Sequence, residues 1–360
     1  MGKPVVSRET QVFCGVDVSA ATLAVAVQPE LGPGCQQREF ANTAAGHRRL
    51  IAWLGRLGAR ARVSLEATGI YSLDLAVALA RSEGVEVAVL NPRRVRQFAR
   101  TLGRSKTDAA DAVALAEYSR RMPFQAWQAP PAHALELRAI SRHIATLVAQ
   151  QAQLKNRLHA AEASAATPRC VRQDLRRSMA GLDKRVARLR RQAEAVVRSD
   201  SGMERKFEHL LGVPGIARAS AIALLGELAG LDPEMTVRQW VAHSGLDPAH
   251  HLSGSSVHPP SRISRQGNGH LRRALYMPAL AAIRCDPHLK AFYHLLQSRQ
   301  KANLQALVAV ARKMLHAIFG IFKNNHPYDG ARLFPNLNVN LNVNPKTPTP
   351  ATPILKEAFC

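Results

Sequence analysis

Between residues 10 and 120 the chain changes its hydrophobic period in a fixed order, and that order narrows the possible folds more than any other feature. Three short β-rich runs, Gln11–Val18, Thr22–Gln28 and Gln36–Phe40, follow one another closely. A helical period then covers His47–Leu57, followed by a strand pattern at Arg62–Glu66, a helix at Leu73–Ser82 and a strand at Val85–Leu90. Helices at Arg93–Leu102 and Thr107–Met122 complete the region. Alternation by two marks a strand and recurrence at three and four a helix. Three strands with short links predict an antiparallel meander, and the later strand–helix alternation predicts parallel crossovers.

Three strands and then α-β-α-β-α is the ribonuclease-H-like order, so residues 10–125 are expected to form an α/β domain of that kind. Its first strand is central and its fourth lies beside the first. Asp17 falls within the apolar run V-F-C-G-V-D-V, and Glu66 ends R-V-S-L-E-A-T-G. Asp108 and Asp111 sit one helical turn apart in K-T-D-A-A-D-A-V, a spacing that keeps both on one helix face. An acid at the end of a hydrophobic strand is costly to bury. Several such acids on one edge can share divalent cations, which prefer hard oxygen ligands and suit phosphodiester chemistry. Taken singly, each acid has a plainer role: Asp17 beginning a turn, Glu66 pairing with an arginine, Asp108 favouring a helix N-terminus. The joint placement is what points to a site. Lys106 and Thr107 precede the pair, as a phosphate contact and a helix cap.

Charge names the partner. Forty-nine Lys and Arg against 26 Asp and Glu give a formal +23 over 360 residues, with Arg far outnumbering Lys. The guanidinium fork pairs bidentately with phosphate oxygens, so nucleic acid is the expected partner rather than a neutral ligand. The five cysteines (14, 35, 170, 285, 360) contain no C-x-x-C pair and read as reduced thiols. No signal peptide is visible, and no apolar run approaches the roughly 20 residues that span a bilayer. A cytoplasmic location without a membrane partner is expected.

Residues 130–200 change character. Leu137, Ile140, Ile144, Leu147, Leu154 and Leu158 keep a 3-4 heptad spacing, with Gln151 at the one polar seam position. Leu175, Met179, Leu182, Val186, Leu189, Ala193 and Val196 repeat it after a break near Ala165–Pro168. This predicts a coiled-coil hairpin, or halves of an intersubunit coil, with an arginine-rich outer face that is either solvated or phosphate-bound. Residues 205–334 read as a helical domain. Within it L-L-G-V-P-G-I resembles the turn of a helix-hairpin-helix, with Gly212 and Gly215 bending the chain so that amides at the next helix start face a phosphate. A helix is expected at Val237–Ser244 and two long ones at His270–Arg284 and Pro287–Phe322. Between them lies a Ser/Gly/Pro-rich loop with Ser253, Ser255, Ser256, Ser261 and Ser264 among Arg262, Arg265, Arg272 and Arg273. A flexible loop and a phosphate-gripping loop with an exposed nucleophile both fit that composition. The tail, 335–360, is low in complexity and is expected to be disordered.

Five segments carry a family resemblance: G-V-D-V-S, L-E-A-T-G-I-Y, N-P-x-x-V…K-T-D-A-A-D-A, L-L-G-V-P-G-I, and S-G-S-S-V…R-I-S-R-x-G-x-x-x-L-R-R-A-L-Y-M-P-A. In order, from about Val12 to Phe334, they resemble the DEDD transposases of bacterial insertion sequences, the IS110 family. The resemblance implies a RuvC-like first domain whose acidic tetrad, here Asp17, Glu66, Asp108 and Asp111, binds Mg²⁺. It implies a C-terminal transposase domain whose catalytic serine, here Ser253, forms a phosphoserine link to DNA. It further implies assembly through the coiled coil into a dimer or tetramer, and a non-coding bridge RNA that pairs with donor and target double-stranded DNA. Two departures stand out. His258-Pro259-Pro260 replaces an Arg-Gly common in relatives, and Arg265 stands where Lys is common.

The expected activity is cutting and rejoining of DNA through Mg²⁺-binding acids and Ser253, with Lys106, Arg262, Arg265, Arg272 and Arg273 gripping phosphates. The rival readings are a metal-dependent nuclease or junction resolvase that uses water, and a non-catalytic DNA- or RNA-binding protein.

Overall fold

The computed structural model describes residues 11–30, 34–57, 60–67, 69–102, 107–249 and 262–335. They belong to two compact units, 1–129 and 130–360.

The first unit is built on five strands: β1 (Gln11–Val18), β2 (Thr22–Pro29), β3 (Gln36–Ala41), β4 (Arg60–Glu66) and β5 (Val85–Leu90). Their order is β3-β2-β1-β4-β5, with β1–β2 and β2–β3 antiparallel and β1–β4 and β4–β5 parallel. The meander and the crossovers expected from sequence are both present, and the arrangement is that of a ribonuclease-H-like sheet. Helices α1 (Ala44–Leu57), α2 (Leu73–Ala80), α3 (Pro92–Leu102) and α4 (Asp108–Arg121) complete the unit.

Strand alternation divides the sheet into two chemically different faces. Val12, Cys14 and Val16 point to one face, where Leu50, Trp53 and Leu54 of α1 and Leu75 and Leu79 of α2 bury them. Gly15 points to the other face, against α4. A Cβ on Gly15 would lie 2.0 Å from the Ala112 carbonyl oxygen and 2.3 Å from the Ala116 nitrogen. The missing side chain is therefore what lets α4 lie directly on β1. Small residues continue the seat, since Ala26 of β2 packs with Ala112 and Ala116.

The second unit is helical. Helices α5 (Ala132–Ala163) and α6 (Arg169–Arg198) form an antiparallel hairpin whose seam holds Ile144, Leu147, Leu182 and Val186. The polar seam position finds a partner, because Gln151 donates to Asp183 at 2.6 Å. There follow α7 (Ser201–Leu211), α8 (Arg218–Leu228), α9 (Val237–Ser244), β6 (Pro248–Ala249), β7 (Arg262–Ile263), α10 (Gly269–Cys285), α11 (Pro287–Ser298), α12 (Asn303–Asn324) and α13 (Gly330–Leu333). One core, including Phe207, Leu225, Trp240, Leu275 and Met314, joins these helices.

Two expectations need correction here. The single helix expected over Pro287–Phe322 is two helices, because Gln300 takes a left-handed backbone (φ 59°) that stops α11. No Gly or Pro marks that break in S-R-Q-K-A-N. The second concerns apolar length. Helix α12 spans 22 residues at a mean hydropathy of 1.4, which by length and composition alone would cross a membrane. Its apolar side chains have a different destination: Leu307, Val310, Met314, Leu315, Ile318 and Ile321 are buried in the core of the unit. Tail residues beyond 335 lie outside the described residues.

Candidate functional site

Asp17 sits at the C-terminal end of the central strand. Val16 pairs in parallel with Leu65, so the next residues, Asp17 and Glu66, stand level on neighbouring strands, about 4.8 Å apart in backbone. Both point to the face that carries Gly15, since i and i+2 share a side. Helix α4 covers that face and runs away from this end. Ala112 and Ala116 lie against Gly15, Asp108 begins the helix, and Ser119 near its far end donates to the Arg62 carbonyl on early β4. Two residues of strand from Gly15 to Asp17 advance about 6.6 Å. Four residues of helix from Ala112 back to Asp108 advance about 6 Å. The first turn of α4 is thus level with Asp17.

The four acids therefore share one end and one face of the sheet. Thr107 fixes that turn as N-cap, its hydroxyl accepting from the Ala110 amide at 3.2 Å. Asp108 is exposed, and Asp17, Glu66 and Asp111 are half-buried. Among the described residues no group of three or more His, Cys, Asp and Glu converges closely enough to hold a metal ion. The donor set nonetheless suits a hard divalent cation, being all carboxylate oxygen.

A fifth acid escaped the sequence reading. Glu39 of β3 pairs with Ala24, which pairs with Asp17, so one row across the sheet reads Glu39–Ala24–Asp17–Glu66 on a single face. Glu39, Ala24, Thr107 and Asp108 line an open depression of about 570 Å³. The register of β2 against β3 is what brings Glu39 into line, and nothing local in Q-Q-R-E-F reveals it.

Two predicted residues, Lys106 and Ser253, lie outside the described residues, as do Ser255, Ser256, Ser261 and His258-Pro259-Pro260. The chain on either side of 250–261 is firmly held. Ser264 donates its amide to the Asp247 carbonyl at 2.8 Å and its hydroxyl to the Asp247 carboxylate at 2.5 Å. Asn268 donates its amide to the His243 carbonyl at 2.6 Å, and its side chain caps α10. Arg272 is committed to this frame, giving Nη1 to the Ser244 carbonyl at 2.7 Å. Burial, with Arg265 nearby, lowers its pKa. Arg262, Arg265 and Arg273 are exposed.

Behind this frame is a buried polar cluster that the sequence reading also missed. Glu227, 4% exposed, accepts a bidentate pair from Arg142 at 2.7 and 2.8 Å and a third bond from Asn268 at 2.6 Å. Burial alone would raise the carboxyl's pKa, but the bonds from Arg142 and Asn268 and the Arg142 and His270 charges outweigh it and hold it below the usual range. His243 beside it is kept neutral by burial, which lowers its pKa. A lone acid in the apolar run A-I-A-L-L-G-E-L was the available signal.

Gly215 has a packing reason to be glycine. It takes φ 90°, and a Cβ there would meet the Pro278 carbonyl of α10 at 2.5 Å. Gly212 is exposed, and Ala217 at the start of α8 offers no side-chain cap to the first-turn amides.

Comparison with known proteins gives two family matches, the first of which runs from the N-terminal unit through most of α5. One family model, described as a transposase of the DEDD IS110 type, matches residues 14–161. A second, described as transposase IS116/IS110/IS902 family, matches residues 207–294. The pilin gene-inverting protein of Moraxella bovis is 25% identical over 326 residues, covering 89% of this chain and 98% of that protein. A probable family 20 transposase of Pseudomonas aeruginosa is 33% identical over 160 residues, 43% of this chain and 45% of its own. An uncharacterized 43.6 kDa protein of insertion element IS110 from Streptomyces coelicolor is 28% identical over 120 residues, 33% of this chain and 29% of its own.

Proposed function

The chain belongs to the IS110/IS116 family of transposases, and from that premise we propose that it moves an insertion sequence by cutting DNA through Ser253 and rejoining it, with Asp17, Glu66, Asp108 and Asp111 holding Mg²⁺. The observation that carries this reading is the gathering of these four acids at one end and one face of the ribonuclease-H-like sheet. All four offer hard oxygen donors, and the family to which the chain belongs implies a divalent metal. Bound there, Mg²⁺ supplies Lewis-acid stabilisation for charge on a scissile phosphate.

The chemistry assigned to the chain's own groups is transesterification. The Ser253 oxygen forms a bond to phosphorus, one deoxyribose oxygen leaves, and the serine proton is lost as the leaving oxygen gains one. The phosphodiester is exchanged for a phosphoserine link rather than hydrolysed, so attack by a second strand's hydroxyl can reseal it. Exposed Arg262, Arg265 and Arg273 grip strand phosphates. The uncapped start of α8 adds an anion contact of the helix-hairpin-helix kind. The α5–α6 hairpin serves as a coiled coil for assembly into a dimer or tetramer. With a basic surface and no base-reading motif, the protein takes its sequence choice from a bridge RNA, and it works in the cytoplasm.

Ser253→Ala and Asp17→Asn test this directly. Wild type incubated with donor DNA and Mg²⁺ should leave protein covalently attached to one DNA end after denaturation. Ser253→Ala should trap none, and Asp17→Asn should reduce trapping by on the order of 10²-fold or more, the scale of a lost electrostatic contact at a transition state. Cleavage that survives Ser253→Ala would instead favour water as the nucleophile. Undiminished function in Asp17→Asn would favour a non-catalytic binder.

A further inference from the structure

Helix α3 carries a basic face with no counter-charge. Its eleven residues, P-R-R-V-R-Q-F-A-R-T-L, include four arginines and no acid. Val95 is buried, Phe98 and Ala99 are half-buried, and Phe98 meets Tyr118 of α4 edge-to-face at 5.2 Å. At 100° per residue, Arg93, Arg96 and Arg100 fall on the opposite side, and all three are exposed. Three arginines elsewhere in this unit find carboxylates: Arg62 pairs with Glu86, and Arg120 and Arg121 with Glu117. Among the described residues no carboxylate pairs with Arg93, Arg94, Arg96 or Arg100. Four like charges within three turns repel one another, which disfavours the helix unless a partner relieves them.

Position says which partner. Leu90 of β5 pairs with Glu66, and α3 begins two residues later, so its first turn emerges at the end of the sheet where the acids gather. The apolar side of α3 is packed against α4, the helix that carries Asp108 and Asp111, so it is not free to enter a lipid surface. The outward guanidiniums span about 10 Å from Arg93 to Arg100, comparable with about three phosphates of one strand, which rise about 3.4 Å each along the duplex axis.

We propose that α3 is a phosphate-binding rail for the DNA being cut, with Arg93 contacting the backbone next to the acidic end of the sheet and Arg96 and Arg100 contacting it progressively farther along. This rests on the proposed strand-transfer reading for its choice of DNA, but it is tested by binding and not by chemistry. The rail carries no sequence information; it holds a strand beside the carboxylates that would otherwise repel it.

The test is the salt dependence of binding by the full chain to a labelled duplex DNA of arbitrary sequence. Arg93→Gln/Arg96→Gln/Arg100→Gln should lower the slope of log affinity against log salt by about 2.7, or about 0.9 per lost phosphate contact. Between 50 and 200 mM salt, wild type would then lose about 40-fold more affinity than the variant. The control is Arg48→Gln/Arg49→Gln/Arg56→Gln on α1, an equal charge change on exposed residues across the sheet. It should leave the slope near wild type, and Arg→Lys at the three α3 positions should restore it. Equal loss in both triples, an unchanged α3 triple, or a loss confined to single-stranded RNA of the same length would each overturn the assignment. Covalent trapping on wild type is read separately, so failure of the rail and failure of the serine chemistry remain distinct results.

Discussion

In the N-terminal unit Asp17, Glu66 and Asp108 stand at strand and helix ends, half-buried or exposed, and Asp108 lines an open depression. In the C-terminal unit Glu227 is nearly inaccessible, and each of its oxygens is already taken by Arg142 or Asn268. A carboxylate saturated by fixed donors is a structural fastener, because any further ligand must displace bonds already made in a dry setting. Asp108, by contrast, is exposed beside an open depression, where a cation can reach it from solvent. The same contrast sorts the arginines: Arg142 and Arg272 are spent on internal carbonyls and carboxylates, whereas the α3 arginines face outward.

The sharpest way to break this comparison is at the seat of α4. Gly15→Ala puts a methyl 2.0 Å from the Ala112 carbonyl, so the helix must lift from the strand. Overpacking against backbone should cost about 3 kcal/mol, lowering the melting temperature of the N-terminal unit by roughly 10 °C. Lifting α4 also moves Asp108 and Asp111 away from Asp17, so trapping of DNA should fall further than lost stability explains when both are measured below the variant's transition. An unchanged melting temperature would show that α4 does not depend on Gly15 for its seat.

The second test is at Glu227. Glu227→Gln keeps the shape but loses the charge, and presents an NH₂ where Arg142 or Asn268 already donates. Arg142 is 40% exposed, so the cost should fall below that of a fully buried pair, at about 2 kcal/mol. The pH dependence carries a definite sign. The folded carboxyl has a pKa below its ordinary 4.5, so the unfolded chain binds the proton more readily. Its contribution is complete above about pH 4.5 and is lost as pH falls through the lower folded value. Wild type should therefore lose stability in that acidic window more steeply than Glu227→Gln, as followed by thermal melts. Parallel curves would remove the fastener role.

The N-terminal fold was legible because its signals were local and mutually consistent: two strand links too short for a helix, then crossovers long enough to require one. The shared placement of the four candidate acids was legible because Asp17 and Glu66 lie at the ends of apolar strands and Asp108 follows a capping Thr. Glu39 was not, since its place in the row depends on the register of two hairpins. Nor was the α11–α12 break, where Gln300 takes a left-handed turn with no glycine to announce it. The Glu227 cluster depends on Arg142 reaching across 85 positions, and pairing at such separation leaves no periodic trace. Arg272 and Arg273 are neighbours with the same side chain, and only the position of the Ser244 carbonyl makes one internal and the other exposed.

The smallest effect compares two caps of the same kind. Thr107 caps α4 by accepting from Ala110 at 3.2 Å, and Asp200 caps α7 by accepting from Met203 at 2.7 Å. Replacing either by Ala should cost about 1 kcal/mol, with Ser restoring most of the loss. Their functional consequences should differ. Fraying of the first turn of α4 loosens Asp108 and Asp111, so Thr107→Ala should need more Mg²⁺ to reach half-maximal trapping. Asp200→Ala caps a helix of the other unit and should leave that requirement unchanged at equal stability. Titrating Mg²⁺ for both variants decides the point: an equal rise in both would mean that global stability sets the metal requirement. No rise in either would mean that the α4 turn is held by the sheet alone.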